Sequence, residues 1–408
     1  MRGSAMMDRA KPRIGRPWRK EALCVDVSVV IPTYNERDNI HPLVERIHQA
    51  LAPLGISYEI WFVDDSSDDT VAVLKDLEAR DPAVHVFHRD HERGLASAVV
   101  RGFEKAQGRY LVVMDADLQH PPELLPAIYE RLESGIDVVI PSRFVEGGSD
   151  GGLGPLRKLI SWTARVIGQL ALHRLRKISD CTSGFFGLRR EVIEGVELNP
   201  IGWKILIEVL VKGRYRSVHE IAYEFVARDF GESKMSLKEQ WNYFRHLVRL
   251  VSQSPPDRRF FLFCLIGLSG VVVNEAVLSL LWYGFHLRDT VASVAASFVA
   301  MLNNYFWNDR VTWKSESSGR GWGWKLPVFV GISVVGIAIT TLVMRGCEGF
   351  GVPVPAGQAI GILVSTAWSY WMNSRVTWRN IEREARGDAI VVTRESVRDS
   401  LMRAKTGA

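Results

Sequence analysis

Cysteine is scarce in this chain of 408 residues: only Cys24, Cys181, Cys264 and Cys347 are present, and no two have the spacing of a zinc-binding pair. That excludes a disulfide-stapled small fold and a structural zinc site, and all four read as free thiols in a reducing compartment. Residues 1–20 lack the apolar core of a secretory signal. Their Arg, Lys, Pro and Gly content makes residues 1–24 a disordered basic arm, or in part an expression remnant. No basic stretch is interleaved with aromatics, so a base-stacking surface for nucleic acid is not expected. The net charge of +5 comes from Arg and Lys gathered in that arm and beside long apolar runs, which fits anionic lipid headgroups or phosphorylated ligands better. Charge is sparse from about residue 260 to 378, so the overall hydrophobic fraction of 47% averages two unlike halves.

The first half alternates buried-type strands with helices. VDVSVVIPTYNE (25–36) opens as a strand, and a helical pattern follows over 39–51. Strands are expected at 58–65, 84–90, 109–117 and 137–143, with helices at 67–80, 95–106 and 123–133 between them. Ser67 or Asp68 would cap the second helix. Continuous apolar strands alternating with helices predict an α/β domain with a mostly parallel sheet covered on both faces. In such sheets ligands bind beyond the carboxyl ends of the strands. Three polar clusters fall there: Tyr34 to Glu36, then Asp64 and Asp65, then Asp115 to Asp117. One such cluster is as well explained by capping and turns; three at one end of a sheet favour a site.

Asp115-Ala116-Asp117 closes an apolar run, and strand alternation would turn both carboxylates to one side. Paired carboxylates repel unless a cation joins them, and Mg²⁺ or Mn²⁺ bridging a diphosphate is the natural filling.

In the second half, Leu237, Trp241, Phe244, Val248 and Val251 recur at helical spacing with Lys238, Arg245 and Arg249 between them, predicting an amphipathic helix in a membrane interface. Packing on the core of the first domain is the competing reading. Four apolar segments follow, roughly 260–285, 291–312, 326–345 and 354–377, each long enough to span a bilayer. Arg258, Arg259, Arg310, Lys314, Arg320, Lys325, Arg375 and Arg379 flank one side, against Arg288 and Arg345 on the other. By the positive-inside rule both termini and the first domain are cytoplasmic, as in a multi-pass protein of a prokaryotic plasma membrane. NDRVTW (308–313) and NSRVTW (373–378) mark a duplicated two-helix hairpin. Glu275, near the middle of the first span, is expected to find a partner on another helix or in a second subunit, so a homo-oligomer through the spans is allowed.

VSVVIPTYNERDNI (27–40), VDDSSDDT (63–70), GLASAVVRGFEKAQGRYLVVMDADLQHPPE (94–123), PSRF (141–144), SDCTSGFFGLRR (179–190) and RDFGESKMS (228–236) together resemble the family-2 glycosyltransferases of GT-A fold, and within them the dolichol- or polyprenol-phosphate mannose synthases. The likeness covers roughly residues 25–250, and the four spans with their RVTW repeats resemble the GtrA-like membrane domain. The resemblance implies a GT-A catalytic domain over 25–235, interfacial helix and linker over 236–257, a four-span all-α domain over 258–380 and a cytoplasmic tail over 381–408. It places Pro32, Tyr34 and Glu36 in a nucleotide pocket and makes Asp64 and Asp65 the pair that holds base and ribose. Asp115, Ala116, Asp117 and Gln119 become the metal and diphosphate loop, with Asp115, Asp117 and Gln119 as metal ligands. Arg143, Arg157, Ser161 and Arg228 grip the lipid phosphate and donor diphosphate, and Lys234 lies in an acceptor loop. Arg93-Gly94-Leu95 departs from the Asn-Gly-Leu of many relatives, and the Q-x-x-R-W motif of processive synthases is absent.

The resemblance implies transfer of mannose from GDP-mannose to a polyprenyl or dolichyl monophosphate, with inversion and with a divalent metal. Asp115, Asp117 and Arg228 are the residues expected to carry it. UDP-glucose as donor to the same lipid is the nearest alternative. A glycolipid flippase or membrane scaffold is the alternative of another class. Every motif that matches the chemistry precedes Leu250, so the spans are expected to anchor rather than catalyse, and a chain ending after Ser254 to keep turnover on a short soluble acceptor.

Overall fold

The computed structural model describes residues 25–151, 154–225, 237–314, 321–378 and 390–395. Two compact units are formed, residues 1–251 with 388–408, and residues 252–387.

The first unit is built on strands β1 (Val25–Thr33), β2 (Tyr58–Asp64), β3 (Val84–His88), β4 (Gly108–Val113), β5 (Val138–Ser142), β6 (Phe186–Arg189), β7 (Ser217–Ala222) and β8 (Val391–Glu395). They lie in the order β3-β2-β1-β4-β6-β5-β7-β8. All neighbours are parallel except β6, which runs antiparallel between β4 and β5. The helices are α1 (Arg37–Leu51), α2 (Thr70–Arg80), α3 (Leu95–Lys105), α4 (Leu125–Glu133), α5 (Pro155–Ala171), α6 (Ile205–Lys212) and α7 (Leu237–Gln253). Both faces of the sheet are covered, which is why β1 and β4 read as unbroken apolar runs. Val30, Leu111 and Val113 enter one buried cluster, while Val29, Ile31, Tyr110 and Val112 enter the other. The predicted strands and helices match within a few residues. The residue at the cap of α2 is Asp69, not Ser67 or Asp68, and its side chain makes no capping bond; Asp68 Oδ1 accepts the amide of Thr70 at 3.0 Å from one residue further back. The stretch read as a tail contributes β8, an eighth strand pairing with β7 from Ser217↔Val391 to Ile221↔Glu395. The unit also reaches to Val251, so α7 belongs to it rather than to a separate linker.

Among the described residues the second unit has four long helices: α8 (Pro255–Ser279, extended by a π turn to Gly284), α9 (Asp289–Trp307), α10 (Trp322–Gly349) and α11 (Val354–Met372). The helix over Pro255–Gly284 and α10 are each long and apolar enough to cross a membrane. The two RVTW segments fold alike. Asn308 Oδ1 accepts the Thr312 hydroxyl and Asn373 Oδ1 that of Thr377, each at 2.8 Å, and the backbone makes one π turn in both. Trp313 and Trp378 then stack face to face with centroids 4.3 Å apart. The repeats differ at Asp309, where the other carries Ser374; Asp309 Oδ1 accepts from Trp378 Nε1 at 2.8 Å and from the buried Lys325 at 3.2 Å. Glu275 sits toward the far end of its helix, not at its middle, because that helix starts at Pro255. Its side chain is exposed on the single chain.

Helix α3 lies close on β1 because Gly102 has no side chain: an added Cβ would stand 2.2 Å from Val30 Cγ1. Gly102→Ala is therefore expected to destabilise the first unit by about 1–3 kcal/mol through overpacking. Thermal unfolding followed by circular dichroism checks this, and an unchanged midpoint would contradict the packing described.

Candidate active site

The parallel strands β1, β2 and β4 release their loops at one edge of the sheet, and a cavity of about 690 Å³ opens there. It gathers Pro32 near the end of β1, Tyr34 and Glu36 after it, Asp65 after β2, and Asp115, Ala116, Asp117 and Gln119 after β4. Arg143 after β5 and Ser161 on α5 complete the expected residues found in its wall. Arg157 lies on α5 one turn before Ser161. Arg228 and Lys234 lie outside the described residues.

The carboxylates at 115 and 117 are not on the strand, since β4 stops at Val113. Strand alternation therefore does not orient them; the loop does. Leu118 takes a left-handed backbone, φ 61°, a conformation an L side chain rarely adopts. The turn it makes lets the Gln119 amide donate to Asp117 Oδ1 at 3.3 Å. The Asp115 amide donates to His120 Nδ1 at 3.0 Å. An amide N–H can only donate, so Nδ1 accepts and the proton of the neutral ring sits on Nε2. His120 is fixed by stacking on Phe185, 5.2 Å between centroids. Gly184 admits this arrangement, because a Cβ there would meet Asp115 Oδ2 at 3.0 Å and His120 Cε1 at 3.2 Å.

The opposite wall is cationic. Asp180, fully buried, accepts from Arg143 Nε at 2.8 Å and from Nη2 at 3.0 Å. Burial works against the charge on Arg143, but Asp180 overcomes it and raises the pKa above the ordinary arginine value. Lys204 also lines the cavity and donates to the Thr182 carbonyl at 3.0 Å. Burial and then the nearby Arg143 lower its pKa from the usual lysine value, against the pull of Asp180 and Asp115. An anion entering beside it would raise that pKa again. Burial raises the Tyr223 hydroxyl well above the tyrosine range, so it stays protonated. The Cys181 thiol is likewise pushed up to about 12 by burial and is unreactive.

Asp64 and Asp65 divide their work. Asp64 is buried outside the cavity wall, with Oδ1 accepting from Thr33 at 2.9 Å and Ser66 at 2.5 Å, and Oδ2 against His88 Nδ1 at 2.7 Å. Asp65 reaches the cavity but also takes Arg89 in a fork, at 2.7 and 2.6 Å, and the Gly94 amide at 2.9 Å. Arg93, the departure noted in the sequence, places its guanidinium 6.0 Å from the Tyr34 ring centroid.

Beside the cavity, α7 docks on α5 through the Tyr243 hydroxyl, which donates to the Ala164 carbonyl at 2.6 Å. The inner face of α7 buries Leu247 and Leu250, while Trp241, Phe244 and Val248 stay exposed, Trp241 by 61%. The helix thus has two apolar faces, one packed on the core as the competing reading expects and one exposed. Helix α5 adds Leu159, Trp162 and Leu170 to the exposed apolar surface.

Asp115 and Asp117 with the side-chain carbonyl of Gln119 offer a hard oxygen set suited to Mg²⁺ or Mn²⁺. Among the described residues no cluster of three His, Cys, Asp or Glu forms a closed cage. An ion held here would complete its shell with water and phosphate oxygens, as Mg²⁺ at nucleotide sites does. Lys204, His120, Gly184 and Arg89 were not singled out from sequence: a lone lysine before an apolar helix and a lone glycine carry no periodic signal, and His120 and Arg89 act through contacts the chain order does not reveal.

Gly184→Ala should displace Asp115 or His120 by a few tenths of an ångström while leaving the core intact. Transfer activity is expected to fall about tenfold or more with little change in unfolding temperature. Wild-type turnover in a folded variant would show that Asp115 is not held by this contact.

The description "Glycosyl transferase family 2" matches residues 28–196, and "GtrA/DPMS, transmembrane domain" matches 262–381. A dolichol-phosphate mannosyltransferase of Pyrococcus furiosus is 43% identical over 353 residues, covering 86% of this chain and 99% of that protein. The dolichol-phosphate mannosyltransferase of Saccharomyces cerevisiae is 37% identical over 239 residues, 56% of this chain and 88% of its own. The polyprenol monophosphomannose synthase of Mycolicibacterium smegmatis is 37% identical over 218 residues, 51% of this chain and 80% of its own. With a mostly parallel sheet ending in the carboxylate loop, and a likeness that runs through both units, this chain is a glycosyltransferase that belongs to the dolichol- and polyprenol-phosphate mannosyltransferase group of glycosyl transferase family 2, joined to a GtrA/DPMS transmembrane domain.

Proposed function

We propose that this protein transfers mannose from GDP-mannose to a polyprenyl monophosphate at a membrane surface, with a divalent metal ion and with inversion at the sugar carbon. The observation that carries the reading is one cavity with two chemical walls, the Asp115–Gln119 loop on one side and Arg143 with Lys204 on the other. The names of the relatives support mannose and the lipid phosphate.

In this reading Tyr34 and Pro32 flank the base, and Asp65 meets the ribose. Asp64 acts behind them by holding Thr33, Ser66 and His88 in place. Asp115, Asp117 and Gln119 would hold the metal, which when bound would supply a charge that offsets the one growing on the departing diphosphate. An acceptor phosphate oxygen forms the bond to the sugar C1 as the bond from C1 to the diphosphate oxygen breaks, and the electron pair leaves with GDP. The second pKa of a phosphate monoester is about 6, so the acceptor is largely dianionic at neutral pH and no residue needs to take its proton. Asp117 is a ligand in this scheme, not a base. Asp180 occupies Nε and Nη2 of Arg143, which directs Nη1 toward a phosphate oxygen. Arg157, Ser161 and Arg228 would serve the same anions, and Lys234 the acceptor loop.

The exposed apolar residues of α5 and α7 would enter the interfacial layer and bring the cavity to the headgroup level, where the acceptor's phosphate lies. The spans would then cross in four passes with both termini cytoplasmic.

The test incubates the detergent-solubilised protein with a short polyprenyl phosphate and either GDP-mannose or UDP-glucose. Mannosyl product with GDP-mannose alone is expected, and Asp117→Asn or a chelator should abolish it without unfolding the protein. Glucosyl product alone, or full turnover in chelator, would contradict the donor or the metal assignment respectively.

A further inference from the structure

Strand β8 follows the membrane unit in the chain yet closes the sheet of the catalytic unit, and neither family match, 28–196 nor 262–381, reaches it. Its parallel register sets Arg394 beside Glu220 of β7. Arg394 Nε donates to Glu220 Oε2 at 3.0 Å, and Arg394 Nη2 donates to the Lys177 carbonyl at 3.0 Å. Glu220 is fully buried, and its other oxygen, Oε1, accepts the Ser179 amide at 2.7 Å, the Ser179 hydroxyl at 2.6 Å and the Asp180 amide at 3.3 Å. Asp180 is the carboxylate that forks Arg143. The opposite face of β8 is fastened independently, with Thr393 Oγ1 2.7 Å from His219 Nδ1 and Glu395 accepting from Arg131 Nε at 3.0 Å.

We propose that Arg394 is a positioning residue of the phosphate site, acting from the C-terminal strand through Glu220 and the 177–180 segment to set Asp180 and so Arg143. The physical reason is charge. Asp180 and Glu220 are adjacent buried carboxylates, and each is matched by one arginine. Without Arg394, Glu220 keeps, among the described residues, only hydrogen bonds from the very segment that carries Asp180. A buried carboxylate stripped of its cation must take a proton or draw in water, and either changes how it holds that segment. The strand is also made after the membrane unit, so the arginine socket is completed only when the whole chain is present. A chain cut after Ser254 loses β8 together with the spans, and its activity therefore tests both at once.

The inference rests on the reading that Arg143 grips a substrate phosphate, and the test separates the two. In the full chain, Arg394→Ala, Arg394→Lys and Arg143→Ala are compared for kcat, for KM of GDP-mannose and of a short polyprenyl phosphate, and for unfolding temperature. Arg394→Ala should raise the KM of at least one phosphate substrate about fivefold or more, with kcat within about twofold, at a temperature where the variant is fully folded, even where its unfolding midpoint falls. Arg394→Lys, which keeps a charge for Glu220, should recover much of the loss. Arg143→Ala should raise the same KM further. If Arg143→Ala raises KM and Arg394→Ala does not, the positioning role is wrong. If Arg394→Ala lowers only the unfolding temperature, its role is structural and the proposal also fails. If Arg143→Ala leaves both KM values unchanged, the phosphate reading itself falls.

Discussion

Arg143 brings a positive charge into a largely buried cavity, and it can do so because Asp180 accepts two of its hydrogen bonds from a fully buried position. Breaking a buried pair by removing one partner is strongly destabilising, because the other charge is left without compensation. The pair must therefore be kept whole, and the surrounding structure is arranged to keep it so. The Ser142 and Ser179 hydroxyls meet at 2.6 Å, tying the end of β5 to the segment that carries Asp180. Glu220 receives that segment's amides from behind. The same cation that the fold must balance is the one that a phosphate would meet.

Across the cavity the problem is inverted. Asp115 and Asp117 bring negative charge to this wall, so in the proposed function the two walls take different parts of one ligand. Phosphate oxygens suit the arginine and lysine, and a divalent cation suits the carboxylates. The strained backbone at Leu118 and the missing side chain at Gly184 are local concessions that bring the carboxylate loop to that wall. Strain of this kind persists only where surrounding contacts enforce it, here the stacking of His120 on Phe185 and its hydrogen bond from Asp115.

Strands β1 to β5 were legible because burial on both faces makes them continuous apolar runs, and the membrane helices because bilayer thickness sets their length. The short β6 and β7, and β8 above all, carried no such signal. Val391-Val392-Thr393-Arg394-Glu395 is a strand only because β7 offers it an edge and Glu220, His219 and Arg131 offer its side chains partners. The polar clusters at the strand ends located the cavity correctly, but sequence could not tell which carboxylate faces a ligand. Asp64 and Asp65 are neighbours in the chain, yet one is enclosed by Thr33, Ser66 and His88 while the other reaches the cavity wall. Lys204 stayed hidden for the same reason: its importance lies in being near Arg143 and Asp115, and nothing in its local sequence records that.

Direct attack by a lipid phosphate on the sugar carbon has one consequence that no scaffold or flippase shares. The measurement is nuclear magnetic resonance of the glycolipid made from GDP-mannose, whose sugar is α-linked, together with identification of the released nucleotide. The account predicts a β-mannosyl phosphate and one GDP released per product. An α-linked product, or release of GMP with a diphosphate-linked lipid, would contradict direct displacement at the sugar carbon in this cavity.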